Sequence, residues 1–89
     1  MNQTLMVFKA VANDRRICLI KLLNRRGRMS LREIVDVMDI PEATACRNLK
    51  ILENADLVKS EIKNSLAEYW LNKYDSLFLN KAVLNMILR

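Results

Sequence analysis

The chain has 89 residues, of which 52% are apolar, and its 15 Lys and Arg against 10 Asp and Glu give a formal net charge of +5. This length holds one domain, and a domain of this size buries only roughly 60% of the surface that its unfolded chain exposes. With two cysteines and no histidine, the sequence excludes a disulfide framework and a Cys/His zinc site with the usual ligand count.

The first part of the chain predicts two helices that abut almost without a loop. Residues 3–12 form a short apolar helix, and Asn13 is a good N-cap for a second helix that ends near Asn24. The apolar arc of the second helix consists of Ile17, Leu19, Ile20, Leu22 and Leu23. Cys18 lies at the edge of its polar side, and Gly27 suits a left-handed cap.

The middle of the chain has the pattern of a helix-turn-helix. Ser30 and Glu33 have the capping-box spacing, which predicts a third helix over residues 31–38. Pro41 suits the first position of a fourth helix that reaches Ala55. The inward face of this helix consists of Ala45, Leu49 and Leu52. Two short helices joined by a tight turn are the signature of this motif.

The last part of the chain predicts a hairpin and a helix. Residues 57–63 alternate, Asn64 and Ser65 break the pattern, and residues 66–71 are rich in β-favouring side chains, which predicts a hairpin over 57–71. Asp75 can cap a last helix over residues 76–88, which is apolar nearly all round and is expected to meet another surface. The alternation does not decide whether Trp70 packs on that helix or stays exposed.

This order of elements predicts one mainly α (α+β) domain over residues 1–89, a winged helix-turn-helix. Its parts are a helix-turn-helix at about residues 30–55, a wing at about 57–71, and dimerisation helices at about 3–12 and 76–88. In this layout the fourth helix enters the DNA major groove and the wing flanks it.

The outward face of the fourth helix is small, polar and cationic, as a base-reading helix requires. Arg47 can donate two hydrogen bonds to guanine, Glu42 can accept one from cytosine, and Ala43 can contact a thymine methyl group. The same face carries Cys46, Lys50 and Asn54. Cations expected to bind phosphates beside the groove are Arg28, Arg32, Lys59 and Lys63. For each of them the alternative is a solubilising surface charge. Arg16 is a further cation in this region, and its alternative role is a structural ion pair.

Four segments of the chain resemble the sequence motifs of one family. Residues 13–23 (NDRRICLIKLL) resemble D-P-T-R-L-x-I-L-x-L-L, and residues 40–52 (IPEATACRNLKIL) resemble L-S-Q-P-T-V-S-R-H-L-K-x-L. Residues 55–59 (ADLVK) resemble A-G-L-V, and residues 69–71 (YWL) lie where the family has Y-x-L. These are motifs of the ArsR-type winged-helix regulators, small bacterial and archaeal repressors that respond to metals or redox state. The resemblance covers about residues 8–72.

The resemblance implies a homodimer in which the first and last helices pair across a two-fold axis. The implied interface residues are Leu5, Phe8, Leu77, Phe78, Val83, Leu84 and Ile87. By position it implies DNA contacts from Glu42, Ala43, Thr44, Cys46, Arg47 and Asn48. The chain departs from the family motifs at Pro41, Cys46, Asn48 and Asp56. Because the third helix has no cysteine and the last offers Asp75 alone, no metal is expected.

The leading hypothesis from the sequence is a cytoplasmic, homodimeric repressor that needs no cofactor and reads a pseudo-palindromic operator in double-stranded DNA. The alternative is a winged helix used as a protein-interaction module, with the last helix bound to a different chain. An enzyme is the least supported class, because the sequence has no histidine, nucleophile elbow or phosphate-binding glycine loop. The two cysteines are either small packing residues or a thiol switch.

Overall fold

Within residues 2–74 and 76–89, which the computed structural model describes, the chain folds as five helices and a three-stranded sheet. The elements are α1 Gln3–Val11, α2 Asp14–Arg26, β1 Met29–Ser30, α3 Leu31–Met38, α4 Glu42–Asn54, β2 Val58–Lys63, β3 Leu66–Leu71 and α5 Phe78–Ile87. The predicted winged helix-turn-helix is confirmed. No helix in the described ranges is long and apolar enough to cross a bilayer.

The start of α2 was predicted correctly, and its end was not. The Asn13 Oδ1 accepts a hydrogen bond from the Arg16 backbone N–H at 3.1 Å, so Asn13 is the N-cap. The helix continues to Arg26, two residues beyond the expected end, because nothing interrupts it before Gly27. Gly27 has φ 79° and ψ −140°, a conformation that residues with a Cβ rarely adopt.

The capping box of α3 is present, and α3 has the predicted bounds. The Glu33 backbone N–H donates to Ser30 Oγ at 3.1 Å, and the Ser30 backbone N–H donates to Glu33 Oε1 at 2.9 Å. The hydrogen bond from the Ser30 backbone lowers the pKa of Glu33 below its usual value. The carboxylate that closes this box is therefore retained until the pH falls below the usual carboxyl range.

Pro41 does not occupy the first helical position, so that prediction was wrong. Its ψ of 146° is extended, which makes it the N-cap residue of α4, and Glu42 begins the helix. The Pro41 carbonyl still accepts from the Ala45 N–H at 3.0 Å, as an N-cap carbonyl does. The proline ring fixes φ alone, so the sequence motif could not distinguish the two positions.

The sheet consists of the wing hairpin and one short strand that the sequence did not predict. In the wing, β2 pairs with β3 from Val58 opposite Leu71 to Lys63 opposite Leu66. Asn64 and Ser65 connect them with φ of 52° and 66°, as a tight hairpin turn favours. The added strand, β1, pairs antiparallel with β3, so the strand order is β1-β3-β2. Two residues are too few to show alternation, and β1 was therefore missed.

One apolar core lies among the helices and the sheet. Its fully buried large side chains include Leu19, Ile20, Ile34, Leu49, Leu52 and Leu57. α5 begins at Phe78 rather than at residue 76, with Leu77 as its N-cap, and Asp75 lies outside the described residues. Val83 and Leu84 are each 3% exposed within this core. Their predicted place in the dimer interface was wrong, because an all-apolar helix does not reveal which face is covered.

The end of α4 is tied to both terminal helices. The carbonyl oxygen of Ala55 accepts from Gln3 Nε2 of α1 at 2.9 Å and from Asn80 Nδ2 of α5 at 2.8 Å. Asn80 is fully buried, so this bond gives its Nδ2 a partner where water cannot reach. The end of α4 and the two terminal helices therefore share one polar contact.

Arg16 joins α1, α2 and α4. Its guanidinium donates to the Ala10 carbonyl at 2.6 Å, the Lys9 carbonyl at 3.2 Å and Asn48 Oδ1 at 3.0 Å. Asn48 Nδ2 in turn donates to the Thr44 carbonyl at 3.1 Å. The role of Arg16 is structural, but its partners are carbonyl and amide oxygens rather than the carboxylate of an ion pair.

Replacing Arg16 with alanine is expected to lower the free energy of unfolding by about 2–3 kcal/mol, because several hydrogen bonds to a charged group are lost. Urea denaturation followed by circular dichroism measures this change. Arg15→Ala is the matched control, since Arg15 is the exposed neighbour on the same helix, and its expected cost is below about 0.5 kcal/mol. Equal losses in the two variants would contradict the assigned role.

Candidate nucleic-acid interface

α4 presents one buried face and one exposed face. Ala45, Leu49 and Leu52 are fully buried against the core, as their spacing predicted. The exposed residues of α4 are Glu42, Ala43, Cys46, Arg47, Lys50 and Asn54. We call these six residues the exposed face of α4. The buried stripe fixes the rotation of the helix, so the exposed face points outward as a unit.

The chemistry of the exposed face suits base edges and phosphates. Arg47 has no ion-pair partner in the described part of the chain. A guanidinium in that state can donate a forked pair of hydrogen bonds to guanine. Lys50 lies three residues after Arg47, slightly less than one helical turn, and adds a second cation to the same face. Glu42 lies in the first turn, where a carboxylate suits the helix dipole.

Two residues of the predicted contact set do not belong to the exposed face. Asn48 is 7% exposed, and both ends of its amide bind within the protein, to Arg16 and to the Thr44 carbonyl. Thr44 is half-buried. The structure corrects the expectation for Asn48, whose side chain is a support for α4. The sequence carried this signal, because Asn48 lies three residues after Ala45 and four before Leu52, on the inward stripe.

The wing is fastened to the side of α4. Ser60 Oγ donates to Glu53 Oε2 at 2.6 Å. Burial raises the pKa of Tyr69, with smaller contributions from the charges of Cys46 and Glu53. Tyr69 therefore stays a neutral phenol at all ordinary pH values. These contacts place the hairpin next to the exposed face, where it can follow the DNA backbone.

The charged residues of the hairpin lie together on one of its faces. Residues paired directly across antiparallel strands share a face. The pairs Lys59 with Trp70, Glu61 with Glu68 and Lys63 with Leu66 define what we call the outer face of the wing. The opposite face carries Ser60, which binds Glu53 of α4, and Tyr69, which packs against the core; farther out it carries Ile62, which is 80% exposed.

The guanidinium of Arg28 already binds other side chains of the protein, and this corrects the prediction that Arg28 contacts a phosphate independently. Its Nε donates to Glu68 Oε1 at 2.7 Å, and its Nη2 forms an ion pair with Glu61. Its guanidinium carbon lies 4.2 Å from the centre of the Trp70 ring. Trp70 thus packs under Arg28 rather than standing alone. Sequence reasoning missed the two glutamates, which lie 33 and 40 residues away in the chain.

The remaining predicted phosphate contacts are spread over two elements. Arg32 is exposed on α3, Lys63 is exposed at the end of β2, and Lys59 is half-buried. The structure places them on either side of α4, as the helix-turn-helix and the wing require. Whether they bind phosphates stays a prediction.

A second exposed surface lies on the terminal helices. It is apolar and consists of Leu5, Phe8, Leu77, Phe78 and Met86, which are 44%, 48%, 57%, 87% and 65% exposed. We call it the apolar surface of α1 and α5. Ile87, another predicted interface residue, is half-buried. Several large apolar side chains left exposed on two helices are typical of an interaction site in soluble proteins. The sequence predicted four of these residues and missed Met86.

The two cysteines are both free and exposed, Cys18 on α2 and Cys46 on α4. No three His, Cys, Asp or Glu side chains in residues 2–74 and 76–89 lie close enough together to hold a metal ion. Neither observation assigns a redox function to the thiols.

Comparison with known proteins identifies the family. The sequence model of a protein family, the helix-turn-helix domain, matches residues 11–61, from the end of α1 into β2. An uncharacterized HTH-type transcriptional regulator of Methanocaldococcus jannaschii is 31% identical over 65 residues, which are 73% of this chain and 73% of that protein. The arsenical resistance operon repressor of Bacillus subtilis is 29% identical over 65 residues, 73% of this chain and 62% of that protein. The chain belongs to the ArsR-type winged helix-turn-helix regulators.

The architecture of this ArsR-type regulator also matches a solved structure. The homodimeric winged helix-turn-helix DNA-binding domain from Mycobacterium bovis superposes with a TM-score of 0.81 at 25% sequence identity. The match covers 96% of this chain and 74% of that one. It therefore includes both terminal helices as well as the helix-turn-helix and the wing. The ArsR-type regulators are DNA-binding transcription factors.

Proposed function

We propose that this ArsR-type regulator is a homodimeric repressor that reads a pseudo-palindromic operator with the exposed face of α4 and the wing. The observation that carries the proposal is Arg47, which has no ion-pair partner among the described residues and lies on a helix whose opposite face is buried in the core. The homodimeric state of the M. bovis domain and the repressor activity of the B. subtilis protein support it. Repression follows from occlusion of the promoter by the bound dimer in the cytoplasm.

In the proposed dimer, the apolar surfaces of α1 and α5 from two copies face each other. The two recognition helices then enter successive major grooves roughly 34 Å apart. Phosphate contacts from Arg32, Lys50 and Lys63 add affinity without sequence preference. The net charge of +5 per chain raises the rate of encounter with DNA.

The repressor is proposed to act without a metal effector. The relatives include regulators named for arsenical and cadmium resistance, but α3 of this chain contains no cysteine or histidine. Titration of the protein–operator complex with Zn²⁺ or Cd²⁺ is expected to leave its dissociation constant unchanged. Release of the operator at a micromolar concentration of either metal would overturn this part of the proposal.

Selection of bound duplexes from a random DNA pool, followed by titration in a salt series, tests the proposal. We expect enrichment of an inverted repeat with half-sites about 10 base pairs apart, and an affinity that falls steeply as salt rises. Failure to enrich any sequence, with negligible duplex binding at moderate salt, would reject the repressor. The exposed Phe78 would then point to a protein partner on α5.

A further inference from the structure

Arg28 makes three separate contacts, and all of its partners lie on the outer face of the wing. The partners are Glu61 of β2 and both Glu68 and Trp70 of β3. Arg28 itself precedes β1, which pairs with β3 through Met29 opposite Tyr69. The guanidinium therefore bridges the chain that leaves α2 to both strands of the hairpin.

The net charge of the outer face is positive only when Arg28 is counted. The hairpin contributes two cations, Lys59 and Lys63, and two carboxylates, Glu61 and Glu68, which cancel. Arg28 raises the local sum to +1 and lies in contact with both carboxylates. Without it, the outer face would have no net positive charge, and its two carboxylates, which repel phosphates, would lose the cation in contact with both of them.

We propose that Arg28 is a positioning residue for DNA binding: it holds the wing to the body of the domain and neutralises Glu61 and Glu68, so that the wing can approach the DNA backbone. This inference rests on the proposed function and assigns Arg28 an indirect role through the two glutamates. Exposed ion pairs contribute little to folding stability. The main consequence of removing Arg28 therefore lies in DNA binding rather than in folding.

A double-mutant cycle on the selected operator tests this role. In the wild-type background, Arg28→Ala is expected to weaken binding about tenfold at roughly 50 mM salt. In the Glu61→Gln/Glu68→Gln background, the same substitution is expected to weaken binding by less than about twofold, because no carboxylate remains to be neutralised. Arg25→Ala removes an equal charge beside the end of α5 and is the control for net charge.

Two further readouts separate positioning from loss of structure. Trp70 is the only tryptophan of the chain, so its emission is expected to shift to the red in Arg28→Ala as the guanidinium leaves the ring. Arg28→Lys is expected to recover part of the affinity, since it restores the charge but not the forked contacts or the stacking. A purely structural defect would not be relieved by removing the glutamates, because that change breaks the same ion pairs.

The cycle has clear opposing outcomes. An equal loss from Arg28→Ala in both backgrounds would overturn the proposal and identify Arg28 as a direct phosphate contact. An Arg28→Ala protein with wild-type affinity would overturn it as well. If the wild-type chain itself binds no DNA, the proposed function fails first, and this is distinguishable because the failure precedes any substitution.

Discussion

Replacing Arg47 with alanine is expected to lower the affinity for the selected operator by about 10- to 100-fold, because a forked arginine–guanine contact discriminates by about 1–3 kcal/mol. Arg47 is exposed on α4 and has no ion-pair partner among the described residues, so its loss removes a DNA contact without breaking a contact within the protein. Fluorescence anisotropy with a labelled operator measures the dissociation constant, and thermal unfolding checks that the fold is retained.

The control for this experiment is Arg25→Ala, which removes the same charge from the last turn of α2. We expect this control to weaken binding by about twofold or less. Arg47→Ala is also expected to tolerate changes at one operator base pair that the wild type rejects. If the two variants lose affinity equally and keep the same base preference, α4 is not the element that reads sequence.

The helix-turn-helix was predictable because its signals are local. Ser30 and Glu33 mark the start of α3 through a hydrogen-bonded box only three residues long. Ala45, Leu49 and Leu52 repeat at helical spacing, which fixes the buried face of α4 and hence the exposed one. Each of these signals depends on neighbours within one or two turns, and a sequence displays such neighbours directly.

The contacts that support the exposed face of α4 and the wing were harder to predict, because they join distant parts of the chain. The Arg16 to Asn48 hydrogen bond spans 32 residues, and no local pattern pairs those two side chains. The Arg28 contacts with Glu61 and Glu68 likewise require the register of three strands, one of which has only two residues. The buried face of α5 was predicted wrongly for another reason. Apolar residues lie on every side of this helix, so the sequence gives no contrast between its buried and exposed faces.

Both the local signals and the distant contacts follow from two requirements on α4. The helix must keep a cationic face exposed, and it must be held at a fixed angle by polar contacts from behind. Asn48 serves the second requirement, although the family motif places it among the DNA contacts. A substitution at Asn48 would therefore change affinity through the position of α4 and not through a lost base contact.

Replacing Phe8 with glutamate is expected to convert the dimer to a monomer, because it places two buried charges in the apolar surface of α1 and α5. Phe8 is 48% exposed in the single chain, so the substitution should leave the fold intact. A monomer engages one half-site at a time, and loss of bivalent binding lowers the operator affinity by about 10²- to 10⁴-fold. Analytical ultracentrifugation measures the oligomeric state, and anisotropy measures the affinity.

The matched control is Val37→Glu, since Val37 is 43% exposed on α3 and lies outside the apolar surface. Val37→Glu should remain a dimer, whereas Phe78→Glu on α5 should dissociate as Phe8→Glu does. If Phe8→Glu stays a dimer while Phe78→Glu dissociates, α5 alone carries the interface and α1 is free. If the wild type is already a monomer that binds single half-sites, the homodimer is rejected while DNA recognition by α4 stands, because the apolar surface of α1 and α5 shares no residue with the exposed face of α4.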